Sequence, residues 1–227
     1  MKHSPNEIEP PEAAAIFGEA LPRAREFHEH LLQHGEELGL IGPREIARLW
    51  TRHLINSALL SSLVPSGTLA DIGSGAGFPG LVIALMRPDV QCTLIEPMER
   101  RAQWLRDESE RLGLQNVEVL RARAEEVPRD RQFDSVTARA VSALKKLIPM
   151  AYPLVAPGGQ MVFLKGQKVE DEVAAAKAIL RPEIFKSVDV VVVGPEWNTE
   201  ETRVFRATLV PGAQQGAMFH VKHRTGV

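Results

Sequence analysis

Two patterns of apolar and polar positions divide the chain. Between residues 12 and 64 apolar side chains recur at helical spacing. Ala24, Phe27, Leu31 and Leu32 mark one such face, and Ile46, Leu49, Trp50, Leu54 and Leu59 mark a second. Gly39, Gly42 and Pro43 separate the two segments. Pro43 suits the first turn of the second helix, where no N–H is needed. Pro65-Ser66-Gly67 then interrupts the helical pattern.

From residue 68 short apolar runs alternate with helical stretches. Strands are expected over 68–72, 91–95, 117–120, 133–138, 160–165, 187–193 and 203–210, with helices around 79–87, 98–112, 141–155 and 168–180. Strands alternating with helices imply βαβ units, a mainly parallel sheet and right-handed crossovers. Residues 194–202 leave no room for a crossover helix, so the last two strands should form an antiparallel hairpin at one edge. The expected fold class is α/β: a seven-stranded, Rossmann-like sheet with an N-terminal helical extension. The expected division is 1–66 for the extension, 67–210 for the sheet domain and 211–227 for a mobile tail.

One junction carries most of the chemistry. Asp71-Ile72-Gly73-Ser74-Gly75-Ala76-Gly77 stands between the apolar runs 68–70 and 81–85, which reads as strand, glycine-rich turn, helix. Such a turn at the first βα junction brings backbone N–H groups close to a nucleotide-type ligand. The dinucleotide fingerprint G-x-G-x-x-G would place its third glycine at residue 78, which is Phe. The spacing is instead D-x-G-x-G-x-G, the form found in S-adenosylmethionine (SAM)-dependent methyltransferases. Seven strands ending in a hairpin is the arrangement of that fold.

Ligands of parallel sheets lie beyond the carboxyl ends of the strands, so the residues there are the site candidates. Asp71, Gly73, Gly75, Gly77 and Phe78 follow the first strand. Glu96, 25 residues after Asp71, ends the second and can accept both ribose hydroxyls. Ala122-Arg123-Ala124-Glu125-Glu126 follows the third, beside the adenine in that fold, although its acids also read as the capped start of a helix. After the fourth strand, many amino-group methyltransferases carry Asp/Asn-Pro-Pro-aromatic. Here the residues are Arg139-Ala140-Val141. An arginine accepts no hydrogen bond from an amine, so the site suits a nucleophile with a free lone pair. Lys165 adds a cation after the fifth strand.

Composition narrows the classes further. A net charge of −2 gives no global sign of a nucleic-acid binder, but residues 100–168 hold 13 Lys and Arg against 8 Asp and Glu. Phosphate contacts dominate nucleic-acid affinity, so a local patch matters more than net charge. A single cysteine, Cys92, excludes an internal disulfide framework, fits a reducing cytoplasm and reads as a buried strand residue. No run of 18 apolar residues suggests a membrane span, and no secretory signal is evident. His28, His30 and His34 are poorly spaced for a metal, and Trp50 and Trp104 read as core. His220 and His223, with Lys222 and Arg224, are weak candidates for RNA contact.

In combination these residues resemble one family, the bacterial small-subunit ribosomal RNA guanine-N7 methyltransferases known as RsmG or GidB. The likeness rests on Arg52-His53 with Asn56-Ser57, Gly77-Phe78-Pro79-Gly80, Arg100-Arg101, Arg123-Ala124-Glu125-Glu126, Phe133-Asp134 with Arg139-Ala140, and Leu164-Lys165-Gly166-Gln167. The chain departs at Asn56, usually Asp in the family, and at Gly39-Leu40-Ile41, usually Asn-Leu-Thr. The resemblance implies SAM contacts at Gly73, Phe78, Ala124, Glu125 and Arg139. It implies methylation of one guanine, guanine 527, in the 530 loop of 16S rRNA, by a protein expected to be a cytoplasmic monomer. Arg139 would place cofactor or guanine, and Lys165 would bind phosphate or the base edge. Arg100, Arg101, Arg123 and, more weakly, Arg203 would contact RNA. The alternatives are a SAM-dependent methyltransferase of another RNA, a protein or a small molecule, and a non-catalytic nucleotide- or RNA-binding protein on the same fold.

Overall fold

The computed structural model describes residues 7–197 and 201–212. Its centre is a seven-stranded sheet of β1 (Gly67–Ile72), β2 (Val90–Ile95), β3 (Val117–Leu120), β4 (Phe133–Arg139), β5 (Val155–Lys165), β6 (Phe185–Val193) and β7 (Thr202–Leu209). The spatial order is β3-β2-β1-β4-β5-β7-β6. The first five strands run parallel. β6 and β7 form the antiparallel edge hairpin, with β7 inserted beside β5. The strand order reverses at β1, between β2 and β4, which is where such sheets open a crevice at their carboxyl edge.

Both faces of the sheet are covered, and successive residues of β1 show it. Leu69 joins one core and Ala70 and Ile72 the other, as expected of a strand buried on both sides. One face carries α5 (Gly80–Met86), α6 (Glu99–Arg111) and the N-terminal helices α1 (Ala13–Phe17), α2 (Leu21–His34), α3 (Pro43–Ile46) and α4 (Asn56–Ser61). The other carries α7 (Leu144–Ala151) and α8 (Val169–Ala176). The N-terminal helices thus share one core with the sheet. Phe27 on α2 is fully buried, and its ring centre lies 5.4 Å from that of Phe78 beyond β1.

Besides shifts of a few residues at element ends, such as α8 stopping at Ala176 rather than at 180, three elements differ from the pattern reading. The second N-terminal helix is broken. Arg48 leaves the helical region, and Leu49–Ile55 winds as a π-helix between α3 and α4. Leu49, Trp50, His53, Leu54 and Ile55 are all buried there, more than one stripe of a regular helix can hide. β5 begins five residues before the expected strand, because Val155 pairs with Phe133 before the chain bulges through Gly158 and Gly159. α7 is correspondingly shorter than the expected 141–155 and is followed by a 3-10 turn at Tyr152–Leu154.

Residues 213–227, most of the expected tail and with it His220, Lys222, His223 and Arg224, lie outside the described residues. Cys92 is buried in β2, and burial pushes its thiol up to about 12. Among the described residues no helix is long and apolar enough to cross a membrane.

A shared core predicts cooperative unfolding. Phe27→Ala should cost about 3–5 kcal/mol and keep a single denaturation transition. An early, separate transition of the N-terminal helices would contradict the shared core.

Candidate active site

The turn after β1 is held from behind by two buried carboxylates. Asp71, the penultimate residue of β1, is fully buried, and its Oδ2 accepts the Gly80 N–H at 3.0 Å. That approach needs glycine: a Cβ at residue 80 would sit 2.3 Å from Leu94 Cδ2 and 2.6 Å from Asp71 Oδ2. Burial pushes the Asp71 carboxyl up to about 7, against the hydrogen bonds that favour its charge. Glu96, at the end of β2 and 3% exposed, accepts the Gly75 N–H at 3.0 Å and the Met98 N–H at 2.9 Å. The Gly73 N–H donates to the Ile95 carbonyl at 2.8 Å. The Trp104 indole N–H, from α6, donates to the Ala76 carbonyl at 3.1 Å. Gly73 has φ +69°, and a Cβ there would lie 3.1 Å from Val141 Cγ2.

The turn opens on a cleft of about 1500 Å³ at the carboxyl edge of the sheet. Its floor includes Gly73, Ser74, Gly75, Ala76 and Phe78, its far wall Arg139 to Ala143, and its third side Leu164 to Gln167. The N-terminal helices close it with Glu45, Arg48, Arg52, His53 and Asn56. A second hollow of about 470 Å³ adjoins it, lined by Pro97, Met98, Arg121, Ala122, Arg123 and Glu126.

Of the expected cofactor residues, Gly73, Gly75, Phe78, Glu96 and Arg139 line the cleft. Asp71 and Gly77 do not. Asp71 lies beneath the turn, and Gly77 faces Leu81. Ala124 is buried in a 3-10 turn, Ala124–Glu126, and Glu125 is exposed beside it. Glu126 accepts the Arg123 N–H at 2.7 Å, so the capped-turn reading of this stretch describes its geometry.

Arg139 ends β4 with its guanidinium 5.5 Å from the Phe78 ring centre and its Nη1 buried without a partner. Burial lowers its pKa to about 10, which leaves it charged in neutral solution. The next residue, Ala140, holds φ +53°, a left-handed conformation rare for a residue with a Cβ.

The expected RNA cations fare differently. Lys165 is drawn inward: its side chain is 9% exposed, with Nζ 2.7 Å from Glu172 Oε2 and 3.1 Å from the Ser142 carbonyl. Arg203 is paired with Glu170 and Glu201. Arg101 lines the cleft and donates to the Gly39 carbonyl at 3.1 Å. Arg100 and Arg123 are exposed.

The cluster on the N-terminal helices had no assigned role in the sequence reading. His53 Nε2 donates to Glu45 Oε2 at 2.8 Å, and Arg52 Nε lies 3.2 Å from the same oxygen. Burial, with Arg139, Arg52 and Arg48 nearby, lowers the His53 pKa to about 3, so the imidazole is neutral. Asn56 Oδ1 accepts the Thr202 hydroxyl at 2.7 Å. The break at Arg48 and the π-helix carry these residues to the cleft, and apolar spacing alone does not signal either feature. Among the described residues no group of His, Cys, Asp and Glu could hold a metal. His28 stacks on Trp50 and His30 bonds Glu108.

Residues 20–199 match the family described as GidB, rRNA small subunit methyltransferase G. A protein of Clavibacter sepedonicus named ribosomal RNA small subunit methyltransferase G is 53% identical over 206 residues, covering 91% of this chain and 98% of the relative. Its namesake in Leifsonia xyli subsp. xyli is 49% identical, covering 89% and 97%. Among solved structures, precorrin-6y C5,15-methyltransferase of Geobacter metallireducens aligns with a TM-score of 0.51 at 18% identity, covering 68% of this chain and 87% of that one. A SAM-dependent O-methyltransferase of Thermotoga maritima aligns with a TM-score of 0.51 at 15% identity, covering 68% and 64%. These two likenesses establish the fold alone.

The raised pKa of Asp71 has a definite sign. The folded state binds this proton more tightly than the unfolded state, so the contribution is complete below the unfolded value of 3.8 and is lost as pH rises through about 7. Thermal melts of the wild type should therefore lose more stability between about pH 4 and about pH 8 than melts of Asp71→Asn. Parallel profiles would show that Asp71 does not titrate in the fold.

Proposed function

We propose that this chain, which belongs to the rRNA small subunit methyltransferase G family, methylates N7 of one guanine in the 530 loop of 16S rRNA. It is a SAM-dependent methyltransferase of small-subunit rRNA. The finer assignment, to N7 and to that loop, is our reading.

The residues present fit SAM. The backbone at Gly73 leaves room that a Cβ would fill, and Arg139 offers a buried, unpartnered donor at the edge of the same turn. The turn Gly73–Phe78 would hold the methionine part. Glu96 would accept the ribose hydroxyls on lone pairs left over from its two backbone donors. The hollow beside Pro97, with Ala124 and Glu125 near it, would take the adenine. SAM, when bound, supplies an electrophilic methyl group.

One observation favours N7 as the acceptor. Each carboxylate lining the cleft is already engaged. Glu45 holds Arg52 and His53, Glu96 two backbone N–H groups, Glu172 Lys165 and the Leu144 N–H, and Glu201 Arg203. His53, neutral, donates its Nε2 proton to Glu45 and keeps a lone pair on Nδ1, but burial and the nearby Arg139, Arg52 and Arg48 hold its pKa at about 3 and oppose its taking a proton. An exocyclic amine must shed a proton during methylation, and these groups are poorly placed to take it. Guanine N7 carries an in-plane lone pair on the major-groove edge and needs no base. The protein's work is then placement, in-line orientation and exclusion of water. Arg139, at the cleft, would orient either the cofactor or the guanine O6, and Arg101, which lines the cleft, with the exposed Arg100 and Arg123, would meet phosphate, as would Arg203 once released from Glu170 and Glu201.

The decisive assay is transfer of labelled methyl from SAM to 16S rRNA and to small subunits from cells lacking this gene, with the modified base mapped. Label on a single guanine N7 in the 530 loop is expected. Label on another base or none on either RNA form, with SAM binding intact, would redirect the reading to another substrate. In calorimetry, Gly73→Val should abolish SAM binding, because the β-branched side chain meets both a positive φ and Val141. Unchanged affinity would show that the turn is not the cofactor site.

A further inference from the structure

Of the acids that open α8, Glu170, Asp171 and Glu172, only Glu172 lines the cleft, and it joins three elements. Glu172 Oε2 lies 2.7 Å from Lys165 Nζ, at the end of β5, and accepts the Leu144 N–H, at the start of α7, at 2.8 Å. Lys165 Nζ also donates to the Ser142 carbonyl at 3.1 Å. An ammonium has three N–H donors. Two are fixed by protein acceptors, which leaves one for the cleft that Lys165, Ser142 and Glu172 all line.

From this geometry we infer that Glu172 is a positioning residue for methyl transfer, which aims the Lys165 ammonium at the guanine O6 and cancels its charge. The inference rests on the reading of the substrate as a guanine attacked at N7. In that reaction the N7 lone pair forms the new N–C bond as the S–C bond breaks, and the electron pair of the broken bond stays on sulfur. No proton leaves N7, so one positive charge passes to the purine. O6 lies beside N7 on the same edge, and a bare ammonium there opposes the arriving charge. An ammonium paired to a carboxylate still donates its hydrogen bond while its field is largely cancelled. The same donor selects guanine, since adenine presents an N6 donor where guanine has O6. Glu172 also accepts the first amide of α7, so it fixes the far end of the turn that begins at Arg139 and Ala140.

Glu172→Gln removes the charge and keeps the shape. Turnover at saturating SAM and RNA should fall on the order of 10²-fold, the size of losing an interaction made in the transition state. Dissociation constants for SAM and for 16S rRNA should stay within about twofold, and Glu172→Asp should recover part of the turnover. Lys165→Met should lose turnover to a similar degree, and the double variant no more than either, because the two residues act as a unit. A readout independent of turnover is the acetylation rate of Lys165 by acetic anhydride in the protein alone, followed by mass spectrometry. It should rise in Glu172→Gln, because the anhydride is attacked by the neutral amine with loss of acetate, and without the carboxylate the lysine sheds its proton and reaches the reagent more readily.

Wild-type turnover in Glu172→Gln would overturn the inference. So would faster turnover with tighter rRNA binding, which would make the carboxylate a mask over a phosphate-binding lysine. Melting curves of each variant separate loss of fold from loss of function. If the wild type itself places no methyl on a guanine N7, it is the substrate reading that fails, whatever Glu172 does.

Discussion

Glu96, sunk at the end of β2, accepts N–H groups from Gly75 and Met98, and Asp71, sunk at the end of β1, accepts one from Gly80. These hydrogen bonds fix the turn on which the cleft depends. Left to itself, a glycine-rich segment has too much conformational freedom to form a binding surface. Here its backbone is held from below by two carboxylates and the Ile95 carbonyl, and from the side by the Trp104 indole. The upper surface of the turn stays open. Buried carboxylates are expensive unless hydrogen-bonded, and Asp71 shows the residual cost in its raised pKa and in an Oδ1 without a partner. Rigidity of the glycine turn is thus obtained at some expense in stability.

The electrostatics of the cleft follow a second rule. Three cations at or beside its edge come with acids, Arg52 with Glu45, Lys165 with Glu172 and Arg203 with Glu170 and Glu201, while Arg101 is held by the Gly39 carbonyl. An RNA-binding surface needs positive charge, whereas the proposed attack by N7, which delivers positive charge to the base, needs its local field moderated. Arg139 stands between these demands. It is charged, largely desolvated, laid over Phe78, and has a nitrogen still to satisfy. Phe78 in turn touches Phe27 and His53, so the aromatic floor of the site is continuous with the N-terminal helices.

The sheet was legible in the sequence because buried parallel strands write nearly continuous apolar runs and the helices between them keep their period. The antiparallel hairpin at the edge followed from the shortness of 194–202, whereas the insertion of β7 beside β5 did not. The glycine turn was legible because close backbone approach leaves few choices of residue at 73 and 80. What resisted reading was tertiary in origin. Asp71 and Glu96 both stand at strand ends beside the turn, yet only the register of β1 and β2 sends Asp71 below it and Glu96 to its margin. Lys165 reads as a free cation until α8 folds back over it with Glu172. The break at Arg48 and the π-helix leave the apolar pattern intact while rotating Arg52 and His53 to the cleft. Family likeness, carried by short motifs spread from Arg52 to Gln167, supplied the substrate that periodicity could not.

The central claim is that the nucleophile is a lone pair needing no base, so the most direct test removes that lone pair and nothing else. A 16S rRNA whose target guanine is replaced by 7-deazaguanine, assembled into small subunits, keeps O6 and the pairing edge but has carbon at position 7. The account predicts unchanged binding to the protein and no methyl transfer from labelled SAM. Continued methylation of that base would contradict it and place the acceptor on another atom.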